Sequence, residues 1–139
     1  MTTKIHNIMS SKVVTVEFDD SLETVKHIFD TLKFHHLLVV EDKKLYGVVS
    51  DRDLLKALSP NIGTMGETLK DLATLNKRVH QIMSRHPIIL YADNTLSDAI
   101  KIFNTHNISC IPIVNIQFIP IGILSWRDVL KVFEHRLDL

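Results

Sequence analysis

At 139 residues and 45% hydrophobic composition, the chain has room for one globular domain or two very small ones, with enough apolar material to bury a core. Sixteen basic residues balance sixteen acidic ones, so nothing global favours a nucleic acid or an anionic membrane surface as partner. No stretch approaches the ~20 apolar residues of a membrane span, and MTTKIHNIMSSK has no signal-peptide core.

The first element is the β-branched run Val13-Val14-Thr15-Val16, read as a strand. Asp19-Asp20-Ser21 then supplies helix-capping chemistry, and Leu22, Val25, Ile28, Phe29 and Leu32 follow at helical spacing. Leu37 to Val40 is an uninterrupted apolar strand of the kind buried on both faces. A short polar loop, Glu41 to Lys44, leads to a hairpin partner ending at Val49. A helix from Asp51 to about Leu58 closes the series.

A Pro/Gly-containing connector, Ser59 to Gly66, follows, and then Glu67 to Val79, whose Leu69, Leu72, Leu75 and Val79 predict a helix. The earlier order then repeats. A shift of 74 places lays Ile8-Met9-Ser10 on Ile82-Met83-Ser84 and Ile28-Phe29 on Ile102-Phe103. Ile88 to Tyr91 is the matching first strand, Asp93-Asn94-Thr95 the cap, Leu96, Ala99, Ile102 and Phe103 the helix stripe, and Ile111 to Val114 the buried strand. Pro112 favours a strand edge. One extra residue near Asn115 to Phe118 shifts the register, in a loop where insertions are tolerated. The expected architecture is α/β (α+β): two tandem β-α-β-β-α units over 1–61 and 80–139, with 62–79 as a connector, packed with pseudo-twofold symmetry. A three-stranded sheet of this size leaves one face to cover, which is the reason to expect two units around one core.

The polar motif is repeated most faithfully. GVVSDRDLLKAL, from Gly47, matches GILSWRDVLKVF, from Gly122, at Gly, Ser, Arg, Asp, Leu and Lys. Ser50 with Asp53, and Ser125 with Asp128, fit helix capping. The same geometry fits a nucleotide: free N–H groups and Arg52 or Arg127 for phosphate, a carboxylate for the two ribose hydroxyls, and a glycine that keeps the approach open. The residues alone leave both readings standing.

The duplicated order, the IMS-type openings, HHLLVV before GVVSDRD, and IPIV before GILSWRD together resemble the cystathionine β-synthase (CBS) domain pair, or Bateman module, over essentially the whole chain. The chain is most similar to standalone members such as those of acetoin-utilisation type. The resemblance implies a regulatory module with no catalysis and no required cofactor, which binds AMP, ADP, ATP or S-adenosylmethionine in clefts between the motifs and controls a partner protein. It implies ribose contacts from Asp53 and Asp128, with Ser50, Ser125, Arg52 and Arg127 near ribose or phosphate. It implies adenine slots at Val14 and Thr15 with His36 and Leu37, and at Ile89 with Cys110 and Ile111, each combined with the acid of the opposite repeat. Leu38 stands where the family often has proline, which Pro112 keeps in the second repeat. Trp126 stands where Asp51 stands.

Other chemistry finds little footing. Eight histidines include no ligand-spaced cluster, and neither serine sits in a nucleophile elbow. The one cysteine, Cys110, lies in an apolar run and reads as buried, which suits a reducing compartment, the cytoplasm. Leu54, Leu58, Val129, Val132 and Phe133 of the closing helices are expected to be exposed and therefore to form a homodimer. The competing function is a ligand-free dimeric scaffold in which the repeated acids only cap helices.

Overall fold

The computed structural model of the chain describes residues 3–137; the extreme ends of the predicted 1–61 and 80–139 segments, residues 1, 2, 138 and 139, lie outside the described residues. The first repeat forms β1 (Thr15–Glu17), α1 (Leu22–Thr31), β2 (His36–Glu41), β3 (Lys44–Ser50) and α2 (Asp51–Ala57). Between the repeats lie α3 (Leu69–Ala73) and β4 (Ser84–Arg85). The second repeat forms β5 (Leu90–Tyr91), α4 (Leu96–Thr105), β6 (Cys110–Val114), β7 (Pro120–Ser125) and α5 (Trp126–Arg136). The mixed α/β class and the doubled β-α-β-β-α order are as expected.

The chain divides into two compact units that exchange their opening segments. One holds Val14–Asp42 and Tyr46–His86; the other holds, of the described residues, 3–13, Lys43–Leu45 and 87–137. The opening motif of each repeat therefore belongs to the unit of the other repeat.

In the first-repeat unit the sheet order is β1-β2-β3-β4, with β1 parallel to β2 and β4 antiparallel to β3. Val16, Leu22, Val25, Leu37, Val39, Val49 and Leu54 form its core, joined by Val79 and Met83 from the second opening motif. Backbone pairing holds that motif in place: Val79 N donates to Asp20 O and Leu22 N to Lys77 O, both at 2.8 Å. The predicted helix from Glu67 to Val79 is consequently cut down to α3. Lys77 turns extended and the chain is drawn into pairing with the Asp20 turn, while Leu69 remains largely exposed.

The second-repeat unit has the sheet order β5-β6-β7, β5 parallel and β7 antiparallel to β6. Leu90, Leu96, Ala99, Phe103, Ile111, Ile113, Leu124 and Val129 make its core together with Ile5 from the first opening motif. Ile5 N donates to Asn94 O, and Ser10 exchanges two backbone bonds with Ile123, each 2.9 Å.

Pro112 is not on an edge strand: it lies in the central strand β6, in register with Ile123 of β7. Its other side explains why it is tolerated. β5 first meets β6 at Leu90 opposite Ile113, one residue beyond the proline. In the first repeat, the corresponding Leu38 donates its N–H to Val14 O at 3.2 Å, and β1 starts earlier, at Thr15. Proline has no N–H for that bond, so the first strand of the second repeat is shortened.

The exposure expected of the closing helices is also corrected. Leu54 and Val129 are buried, and Leu58, Val132 and Phe133 are half-buried, because these positions form the inward stripe of α2 and α5. The outward apolar positions are Leu55, Trp126 and Leu130.

Candidate functional site

Each repeated polar motif sits where a strand passes directly into a helix. Ser50 ends β3 and caps α2; Ser125 ends β7 and caps α5. Both form complete capping boxes. Ser50 Oγ accepts from Asp53 N at 3.1 Å, and Asp53 Oδ2 accepts from Ser50 N at 2.9 Å. Ser125 Oγ accepts from Asp128 N at 3.4 Å, and Asp128 Oδ2 from Ser125 N at 2.9 Å. In both boxes the bonds to the half-buried carboxylate fall on Oδ2 and none of them uses Oδ1. Capping and ligand binding are therefore compatible uses of one side chain, since an ionised carboxylate accepts at both oxygens.

The two repeated glycines serve a different purpose from the one expected. A Cβ on Gly47 would lie 2.7 Å from Met83 Sδ and 2.7 Å from Ser84 O; a Cβ on Gly122 would overlap Met9 Sδ. The space they leave is filled by the methionine of an opening motif, not held open for a ligand.

The remaining predicted residues fall into two sets by unit. With Ser50 and Asp53 belong Val14, Thr15, His36 and Leu37; with Ser125 and Asp128 belong Ile89, Cys110 and Ile111. Leu37 and Ile111 are wholly buried in their cores, so they can offer a ligand backbone atoms only. Val14 and Ile89 are half-buried, and Thr15, Arg52 and Arg127 are exposed. Cys110 pairs in register with Ser125, and burial pushes its thiol up to about 12, so it stays protonated and unreactive.

One interaction was missed in the sequence. His35 Nδ1 donates to Asp51 Oδ2 at 2.9 Å, while Asp51 N donates to His35 O at 3.0 Å, tying the entry of β2 to the start of α2. That hydrogen bond holds the Asp51 carboxyl below its usual range. The adjacent His36 is half-buried, and desolvation lowers its pKa against the opposing pull of Asp51 and Asp53. In the second repeat Ser109 O accepts from Trp126 N at 3.3 Å, and the indole Nε1 donates to Ile108 O at 3.2 Å. Trp126 packs at 5.5 Å on Phe103 yet remains 48% exposed. The signal was available: His35 and Asp51 are replaced together in the second copy, as interacting partners are.

Among the described residues no group of three or more His, Cys, Asp or Glu could hold a metal ion, and no helix is long and apolar enough to cross a membrane.

The CBS domain model matches twice, over residues 5–60 and 79–135. The chain belongs to the CBS domain family, with two CBS segments in tandem. A CBS domain-containing protein of Dictyostelium discoideum is 26% identical over 140 residues, covering 99% of this chain and 96% of that protein. The chain spans only 22% of a homoserine O-acetyltransferase of Methanosarcina acetivorans to which it is 25% identical, so the similarity there is to a minor segment of the enzyme. Among solved structures, the CBS domain pair of protein MJ0100 in complex with 5′-methylthioadenosine and S-adenosyl-L-methionine superposes with a TM-score of 0.77 at 25% identity, covering 98% of this chain and 99% of that one. An acetoin utilization protein from Vibrio cholerae shares the fold with a TM-score of 0.78 at 23% identity, covering 100% and 96%.

Proposed function

We propose that the chain is a ligand-sensing regulatory module that binds adenosine-containing molecules, AMP, ADP, ATP or S-adenosylmethionine, and controls a partner protein. The observation carrying this reading is the pair of half-buried acids, Asp53 and Asp128, each fixed by its capping box through Oδ2, with Oδ1 used by neither box. A rigid carboxylate at that position suits the adjacent hydroxyls of a ribose, and the adenosyl ligands of the related MJ0100 pair carry such a ribose. Arg52 and Arg127, both exposed, are placed to meet phosphate or solvent. The chain is proposed to perform no catalysis and to work in a reducing compartment, the cytoplasm, where the free buried Cys110 is stable. The proposed assembly is a homodimer that covers Leu55, Trp126 and Leu130; sedimentation as a monomer at micromolar concentration would overturn this element.

The test is thermal unfolding and calorimetric titration with the four ligands. A ligand at one hundred times its Kd adds about 2.7 kcal/mol of stability, and Asp53→Asn or Asp128→Asn, which keeps a capping acceptor, should remove that gain at one site. A specific observation favours a second reading: the capping boxes account for every polar bond made by Asp53 and Asp128. If all four ligands fail to bind, the chain is the ligand-free dimeric scaffold.

A further inference from the structure

We propose that His35 and Trp126 are positioning residues: each latches the start of a closing helix to the entry of the interior strand of its own repeat, and so sets the acid that follows, Asp53 or Asp128. The inference rests on the adenosyl-binding reading above and names the groups by which each repeat holds its acid ready.

The two latches occupy equivalent positions and use different chemistry. In the first repeat Asp51 N donates to His35 O at 3.0 Å, and His35 Nδ1 donates to Asp51 Oδ2 at 2.9 Å. In the second, Trp126 N donates to Ser109 O at 3.3 Å and its indole Nε1 to Ile108 O at 3.2 Å. Asp51 and Trp126 are each the residue after a capping serine, the first of α2 and of α5. The backbone bond is kept between the copies, while the side-chain bond is rebuilt with its direction reversed: strand entry donates to helix start in one, helix start to strand entry in the other. A tie that persists when both side-chain partners are replaced points to a requirement of position, not to one favourable pair.

The strand is the fixed end of each latch. β2 lies between β1 and β3, and β6 between β5 and β7, and Leu37 and Ile111 just inside these entries are wholly buried. His36, which belongs with the slot of the opposite acid, therefore keeps its place through the sheet and not through the latch. The helix start is the end that can move. Each capping box refers its acid to one strand only, β3 or β7, whose last residue is the capping serine. A bend at that strand-to-helix junction would carry the acid with it, and a second tie, to the interior strand, opposes the bend. An acid held from two strands loses less conformational freedom on meeting a ribose, which strengthens binding without any new contact to the ligand.

The experiment is calorimetric titration with AMP, ADP, ATP and S-adenosylmethionine in two backgrounds: Asp128→Asn, which leaves the Asp53 site to be read, and Asp53→Asn, which leaves the Asp128 site. Each background receives His35→Ala, His35→Asn and Trp126→Phe. An asparagine amide presents an N–H where Nδ1 stands, and phenylalanine keeps a ring against Phe103 without the indole N–H. His35→Ala should weaken binding at the Asp53 site about two- to tenfold, the equivalent of one hydrogen bond, and His35→Asn should restore it. Trp126→Phe should weaken binding at the Asp128 site alone. Restoration by asparagine and confinement to one site are effects that a loss of general stability would not produce. Unchanged affinity in His35→Ala, equal losses at both sites, or His35→Asn binding as weakly as His35→Ala would overturn the inference while leaving adenosyl binding intact. The His35 side chain is largely exposed, so its two variants decide the matter if Trp126→Phe does not fold. Failure of all four ligands to bind the wild type would overturn the adenosyl reading, and this inference with it.

Discussion

The Met9 thioether occupies the space above Gly122 that a side chain there would fill, and Met83 does the same above Gly47. Each methionine comes from the opening IMS motif of one repeat, and each glycine from the strand before the polar motif of the other. The two most recognisable motifs of the sequence are thus the two halves of one packing contact, made twice.

The two contacts should differ in tolerance. At Gly47 an added Cβ meets Ser84 O at 2.7 Å as well as Met83. That carbonyl belongs to β4, in register with Val48, and cannot retreat without disturbing the ladder. At Gly122 the three nearest atoms all belong to the Met9 side chain, which is half-buried and can swing outward. Gly47→Ala should destabilise by about 2–3 kcal/mol and Gly122→Ala by about 1 kcal/mol, within the range of overpacking. Urea denaturation checks the order, and a costlier Gly122→Ala would contradict it.

Much of the fold was legible because periodicity and repetition reinforce each other. The stripe Leu22, Val25, Ile28 recurs as Leu96, Ala99, Ile102, and both α1 and α4 form over ten residues. What escaped was set by pairing distant in sequence. Val79 looked like the last turn of a helix because it continues the Leu69, Leu72, Leu75 spacing, but its N–H is claimed by Asp20 O. The candidate site divides in the same way. Capping by Ser50 and Asp53 is local and follows from spacing, whereas the His35–Asp51 bond spans 16 positions and is visible only when the two repeats are compared.

The exchanged opening segments are expected to matter to stability as much as any strand. Ile5 is wholly buried in the second-repeat core, and Val79 holds the matching place in the first. Ile5→Ala should cost about 2–4 kcal/mol and Val79→Ala about 1–3 kcal/mol, as for other large-to-small core changes. Chemical unfolding measures both; a loss below about 1 kcal/mol for Ile5→Ala would mean that its segment is not a working part of that core.

Removing a cap tests the structural share of the polar motif. Ser50→Ala and Ser125→Ala each delete an acceptor for an N-terminal helix N–H and should cost about 0.5–2 kcal/mol. The Asp53 and Asp128 carboxylates would still accept from the residue-50 and residue-125 N–H groups. Adenosyl affinity measured on the same proteins should fall less in Ser→Ala than in Asp→Asn if the acids are the ribose contacts; the opposite order would assign ligand contact to the hydroxyls.

The final expectation concerns pH in the unliganded protein. Burial lowers the His36 pKa below its ordinary 6.5, so the unfolded chain binds this proton more readily than the folded one. Stability from this group is complete above the unfolded value and declines as pH falls from about 6.5 toward the lower folded value. Asp51 acts in a separate, more acidic window. Its carboxyl lies below the ordinary 3.8 because His35 donates to it, so its contribution is present above that value and is lost as pH falls through the lower folded one. Asp51 is partly exposed and solvent screens the pair, which makes this the smaller effect. Thermal unfolding from neutral to acid pH should therefore show an early decline that His36→Gln removes and a later one that Asp51→Asn reduces. An early decline that persists in His36→Gln would place the responsible proton elsewhere.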